Sequence, residues 1–365
     1  MIHIAPLSLR SALQPHTSSP DAKTRKLFTF TSPTTLSLRI DWSSLEGFLH
    51  CNRLARYKLI DSRISAPGPA LTFGAAMHSA LEIWYKFYPG HYPASDVITS
   101  TLQLCREAID RTFAEHPGST LTDWRTSEYC FECFLKYITD PSIRGETIKP
   151  AVHEDKQLVE FSFSIPIGET LIHPSVFELY GYGALSTDAA AEEAAVANGH
   201  ALKCELDWTG IIDMVADING EHWLVDHKTT SILSSDFFDT FDIAMQPVGY
   251  VNAARELLPA LNIRGFLVNV LACRKPTKTG TGFEPLRRKY EYSDWHFAEW
   301  KADALGLIEE FLSNLHSNFF PKKTSWCSGK YGKCRYFNVC SLHPDHRAGI
   351  LSSGEFVDNT WKPVE

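Results

Sequence analysis

Two aspartates and a lysine lie where one short turn can bring them together. Residues 210–230, GIIDMVADINGEHWLVDHKTT, place Asn219-Gly220 between two apolar-rich runs. That dipeptide is the signal of a two-residue type I′ hairpin, in which both turn positions need φ > 0. If Ile218 faces Glu221, the register sets Asp213 opposite Asp226, and Lys228 shares their face. Carboxylates facing each other with Cβ atoms about 4.5–5.5 Å apart repel unless a cation compensates. Two aspartates suit Mg²⁺ or Mn²⁺, with positions left for water and a phosphate oxygen. Lys228 then orients or deprotonates the attacking water and offsets charge developing on phosphorus. The plainer alternative is a solvated hairpin whose acids are neutralised by the lysine. Against it, Asp226 follows Trp223, Leu224 and Val225, the run of a buried strand, where unpaired charge is costly.

A second constellation lies at the two ends of the chain. Cys327, Cys334 and Cys340 crowd into one short stretch, and three thiolates leave a tetrahedral metal site one ligand short. Cys51, in the early segment HCNRLARYKL, is the natural fourth; His343 or His346 would complete a Cys₃His zinc site without it. Cys130 and Cys133 form a CxxC inside YCFECFLKYI, where they read as helix core, as do Cys105, Cys204 and Cys273.

These residues need elements to hold them. From Asp41 to about Asp140 the pattern is helical, with Ser43 or Ser44 as a cap, a stretch over 74–88 opened by Gly74 and ended by Pro89-Gly90, and another over 96–115. Residues 157–165 alternate like a half-buried strand, with Glu160 on the face opposite Val159, Phe161 and Phe163. The Ala/Glu stretch 187–199 reads as an exposed helical or flexible insertion without chemistry. Strands follow at 201–206, 211–217, 221–227 and 264–273, with helices near 243–258 and 294–315. Gln246 and Tyr250 share one helix face, and Pro247 is tolerable only in a first turn.

The 365 residues allow one large domain or two modest ones. A hydrophobic fraction of 44% and a charged fraction of 21% exclude a disordered or coiled-coil chain. The longest apolar run, Gly265 to Cys273, is strand-sized and contains Asn269, so no membrane span is expected. Nine cysteines, an odd and sparse set, suit a reducing compartment. The net charge of -8 gives no general attraction to nucleic acid. Local basic runs answer it: Lys322, Lys323, Lys330, Lys333 and Arg335 in one, Arg274, Lys275, Lys278, Arg287, Arg288 and Lys289 in the other. Trp326, Tyr331 and Tyr336 are interleaved as stacking surfaces for single-stranded bases.

The order of these residues resembles the RecB-like branch of the PD-(D/E)XK nuclease superfamily. The likeness rests on Gly210 to Asp213 as GxxD, Asp226-His227-Lys228 as D-x-K, Gln246 with Tyr250 as QxxxY, and Gly74 to His78 as an upstream Gly-x-x-x-His. It implies that His78, Asp213 and Asp226 hold the Mg²⁺ or Mn²⁺, that Lys228 is the catalytic lysine, and that Gln246 and Tyr250 belong to the same site. Glu160 is a further, accessory acid by the same likeness. Taken alone, His78 reads as a hydrogen-bonded core histidine. A subset of such nucleases, including AddB and CRISPR-associated relatives, carries a 4Fe-4S cluster on one N-terminal and three C-terminal cysteines. Cys51, Cys327, Cys334 and Cys340 fit that layout, although the longer gap between the first two C-terminal cysteines departs from some relatives. Structural Zn²⁺ is the competing metal, and phage-type exonucleases look most similar.

The expected fold is therefore α/β, a PD-(D/E)XK restriction-endonuclease-like core with a central mixed sheet flanked by helices, plus a helical N-terminal region. The expected segments are a flexible arm at 1–40, a helical region at 41–149, the nuclease core at 150–320, the cysteine segment at 321–345 and a tail at 346–365. The expected activity is metal-dependent DNA cleavage, most of all by an exonuclease. The expected partners are DNA, single-stranded or with free ends, and a helicase or recombinase. The expected setting is the cytoplasm of a phage-infected or bacterial cell, the basic, Ser-rich residues 1–35 also allowing an organellar leader. Two other classes compete: a recombination or repair module that binds without cleaving alone, and an electron-transfer protein, which would leave the hairpin carboxylates unused.

Overall fold

The computed structural model describes residues 26–87, 95–116, 123–145, 148–277, 280–329 and 332–358. Residues 1–25 of the expected arm, Pro89-Gly90, Lys278, Lys330, Tyr331 and 359–365 of the tail lie outside them. The chain forms two compact units, one from Pro67–Phe161 with Ile211–Phe297 and one from Met1–Ala66, Ser162–Gly210 and Ala298–Glu365. Each is assembled from separate stretches of sequence, where the reading above expected consecutive segments.

The first unit is organised by the hairpin. Asn219 (φ 56°) and Gly220 (φ 86°) make the turn, and pairing runs from Ile218–Glu221 to Met214–Val225. Strand Glu221–Thr230 pairs in parallel with Gly265–Thr277, which pairs antiparallel with Gly280–Tyr290. The parallel step needs a crossover, and helix Met245–Leu257 supplies it. The sheet is thus mixed, as expected. Residues 265–273 of the central strand are all buried, which explains why their sequence does not alternate. Gly265 is required by packing, because a Cβ there would sit 2.0 Å from the Tyr290 carbonyl oxygen. Helices Pro69–Phe87, Ser95–Glu115 and Ser127–Thr139 pack one core, with Met77, Leu81, Trp84 and Phe134 against Met214, Val225 and Leu271. Gly74 lies within the first of these helices and does not open it. Cys130 and Cys133 are core residues, as read.

In the second unit, residues assigned to the arm are built into a sheet. Strand Thr29–Ser32 pairs with Thr35–Ile40, and the latter runs parallel to the first half of Leu202–Ile218. Leu36, Leu38 and Ile40 are buried, so the arm expected over 1–40 does not extend through these strands. The runs at 201–206 and 211–217 are one strand, Leu202–Ile218. Helix Trp42–His50 is capped by Asp41, whose carboxylate accepts from Ser44 N–H at 2.8 Å. Ser43 and Ser44, the expected caps, lie inside the helix, where a side chain can no longer reach its free N–H groups in the same way. Phe48 stacks on Phe311 of helix Asp294–Ser317 at 4.3 Å. The Ala/Glu stretch forms helix Ala189–Asn198, and it is less exposed than expected. Glu192 is 0% exposed. Its carboxylate accepts from the backbone N–H groups of Gly183 and Ser186, which makes that buried charge tolerable. Among the described residues no helix is long and apolar enough to cross a membrane.

Candidate active site

The hairpin pairing stops one residue short of Asp213 and Asp226. In place of a further ladder bond, His227 N–H donates to Asp213 Oδ2 at 2.7 Å. His78 Nδ1 lies 3.4 Å from the same oxygen. It reaches there because its helix runs close to the strand: a Cβ on Gly74 would stand 3.0 Å from Thr229 Oγ1. The glycine four residues before the histidine therefore has a steric reason. Asp226 is 6% exposed and pairs with Lys228 Nζ, 3.0 Å from Oδ1 and 2.8 Å from Oδ2. Only the Oδ1 contact has hydrogen-bond geometry, so Oδ2 is buried without an aligned donor. Lys228 Nζ also donates to Gln246 Oε1 at 3.2 Å.

A cavity of about 670 Å³ opens over these groups, lined by His78, Glu160, Asp213, His227 and Lys228 among others. Glu160 faces away from the buried aromatics of its strand, as its alternation predicts. Its φ is 52°, a conformation uncommon outside glycine. Burial foremost, then the charges of Asp213 and Glu82, pushes its carboxyl up to about 8. Burial also holds Asp213 above the usual carboxylate range, with His78 opposing and Asp226 adding to it. Buried carboxylates of this kind need a proton or a cation. Tyr250, one turn after Gln246, is buried and does not line the cavity.

The oxygen donors and the orphaned Asp226 Oδ2 fit a hard divalent cation. Among the described residues no three His, Cys, Asp or Glu side chains already stand close enough to grip one ion. Asp226 is engaged by Lys228, and a cation shared with Asp213 would take over one of its oxygens.

Behind the site lies a polar network that sequence reasoning missed. Arg287 Nε donates to Asn269 Oδ1 at 2.9 Å. Since Arg287 can only donate, the Asn269 amide nitrogen must face His227 Nδ1, at 2.6 Å, and Tyr137 OH, at 2.9 Å. His227 Nδ1 is thereby an acceptor and the ring is neutral with its proton on Nε2; burial, which pushes its pKa well below the usual value, favours the same form. Tyr85 stacks on the ring and bonds Tyr137. The available signal was Asn269, a lone amide inside an apolar run. Asn269→Leu should leave the imidazole acceptor and a guanidinium without their partner, costing about 3 kcal/mol. Urea denaturation would read this as a lowered midpoint, and an unchanged midpoint would deny the network any part in stability.

In the basic run at 274–289, Arg274, Lys275, Arg288 and Lys289 are exposed, but not all of them are open. Arg274 pairs with Glu284, Arg288 with Asp239, and Arg287 turns inward. Tyr336, expected as a stacking surface, is 4% exposed and donates to the Arg63 carbonyl oxygen. Trp326 is 51% exposed and stacks on His50 at 3.9 Å.

In the other unit Cys51, Cys327, Cys334 and Cys340 line one cavity of about 490 Å³. Burial foremost pushes up the Cys334 and Cys340 thiols, and Cys51 adds to both. The four thiols share this cavity, but among the described residues no three of them stand close enough together to grip one ion as placed. His343 and His346 do not line this cavity.

A profile of the PD-(D/E)XK nuclease superfamily matches residues 40–341. The chain belongs to the PD-(D/E)XK nuclease superfamily. Nucleases of the superfamily typically use a divalent metal, and the family implies a nucleic-acid substrate. A solved structure from Eubacterium rectale, provisionally named as an exonuclease, is 12% identical, covering 87% of this chain and 93% of that one with a TM-score of 0.44. No curated protein matches. As a PD-(D/E)XK chain it shows the mixed α/β core expected of the superfamily.

Proposed function

We propose that this chain is a divalent-cation-dependent DNA exonuclease of the RecB-like branch that carries a structural 4Fe-4S cluster. One observation supports this above the rest: His78, Glu160, Asp213 and Lys228 face one cavity, with Asp226 beneath them holding the lysine. A bound Mg²⁺ or Mn²⁺ would supply positive charge for a scissile phosphate and an activated water. Asp213 and Asp226 would hold it, with His78 beside Asp213. Lys228, steadied by Gln246 Oε1, is positioned to orient the attacking water and to offset charge on phosphorus. Glu160, pushed up to about 8 by burial and its acidic neighbours, holds its own proton at neutral pH, and only as a carboxylate, favoured by the positive charge of a bound cation, would it receive one from that water. The cluster would be held by Cys51, Cys327, Cys334 and Cys340 and has no electron to carry, because phosphodiester hydrolysis is not a redox reaction.

The test is cleavage of end-labelled linear and closed circular DNA by protein purified without oxygen. Linear DNA should disappear with Mg²⁺ or Mn²⁺ and survive in EDTA, while circles persist. Iron analysis should find about four irons per chain. Cut circles would replace exonuclease by endonuclease, and metal-replete protein that binds DNA without cutting would overturn the catalytic reading.

A further inference from the structure

The cysteine unit contains a second cavity, of about 470 Å³, whose walls carry Arg53, Arg56, Arg63 and Arg347 against a single acid, Asp61. Such an excess of positive charge is unexpected in a chain of net charge -8. Two of the arginines are anchored through one nitrogen each. Arg53 Nε donates to the Phe320 carbonyl oxygen at 3.1 Å, and Arg347 Nε to that of Leu342 at 3.2 Å. Anchoring through Nε fixes the plane of a guanidinium and leaves its terminal N–H groups as a fork, the geometry that matches phosphate oxygens. Arg56 is steadied by Asn318 Oδ1 at 2.9 Å and by the Phe320 ring, 5.4 Å away. It leaves the chain from a π-helical turn, Arg56–Ile60, a local widening common at functional sites. Phe319, on the same wall, is 62% exposed, an aromatic face with no core to fill.

We infer that this cavity binds a phosphodiester of a single nucleic-acid strand, the guanidinium forks holding the phosphate and Phe319 stacking a neighbouring base. The inference rests on the nuclease reading for the nature of the strand. None of these residues belongs to the basic runs read from the sequence, because they are spread over 53–63, 319 and 347.

The test is fluorescence anisotropy of a labelled oligo-dT with the cluster-loaded protein in EDTA, across a salt series. Phe319→Ala, an exposed change that should leave the fold intact, is expected to weaken binding about 10-fold. The double variant Arg53→Gln/Arg347→Gln should weaken it further and reduce the salt slope by roughly 0.7 per phosphate contact removed. Unchanged affinity and slope in folded variants would overturn the assignment. Inorganic phosphate or dTMP binding as tightly as the oligonucleotide, indifferent to Phe319→Ala, would make this a free-phosphate site and overturn the strand. Wild-type protein that binds no oligonucleotide would fail the nuclease reading itself, whereas wild type and variants that bind equally fail the cavity alone.

Discussion

Asp226→Asn is expected to reduce DNA cleavage by at least ~10³-fold while the protein stays folded and still binds DNA. The substitution keeps the shape of the side chain and removes its charge. Two functions go together, because the carboxylate is both a proposed cation ligand and the counter-charge of Lys228, 2.8 Å from Oδ2. Stability should change little, since Lys228 is one-third exposed and can be hydrated. Lys228→Ala should cost about 10²–10³-fold by itself. The double variant should be scarcely worse than Asp226→Asn alone, because residues that act as one unit do not add. Single-turnover cleavage of linear DNA with Mn²⁺ measures all three. Near wild-type cleavage by Asp226→Asn would remove this aspartate from the mechanism, and strict additivity would mean that the two residues act separately.

The second large effect is expected at Cys334. Cys334→Ser should lose iron and destabilise the protein by at least ~3 kcal/mol, because a bound structural metal contributes its binding energy to folding. For a chain of this size that corresponds to a fall in Tm of roughly 4 °C or more. Around the cavity Tyr57, Tyr336, Val339 and Phe356 form a small apolar cluster with Cys334 and Cys340 packed against it. A core so small is poorly able to hold the segment unaided. Cys105→Ser is the control, since Cys105 is buried in the other unit and lines neither cavity. It should keep full iron. Cys334→Ser protein with wild-type iron and Tm would refute a structural cluster at this position.

How much of this was readable in advance depends on the range of each signal. Asn219-Gly220 dictated its own turn, and the turn dictated the hairpin register, so the approach of Asp213 and Asp226 was legible from a short local pattern on either side. The alternation around Glu160 correctly gave its face. Its positive φ was invisible, because nothing in the residue type demands it. Long-range choices were the least legible. Arg287 and Arg288 are neighbours in one basic run, yet one enters the core to meet Asn269 and the other pairs with Asp239. Composition cannot distinguish them, since the deciding partners are distant in sequence. The early strands were hidden for a related reason: the Ser, Thr and Pro that suggested an arm also suit a short hairpin at a sheet edge, and only the buried Leu36, Leu38 and Ile40 reveal which.

The interleaving of the two units bears on how the protein is made. The polypeptide passes between them at 66/67, 161/162, 210/211 and 297/298, the third time in the middle of strand Leu202–Ile218. A ribosome releasing the chain from its N-terminal side therefore cannot deliver either unit complete before the residues up to Phe297 have been made. Ile40 waits for Trp208, and Cys51 waits for Cys340. Contacts so remote in sequence slow folding and leave early apolar strands unpaired during synthesis. Neither unit can be cloned as a continuous fragment, and the set of cysteines lining the cavity is complete only once Cys340 has been made.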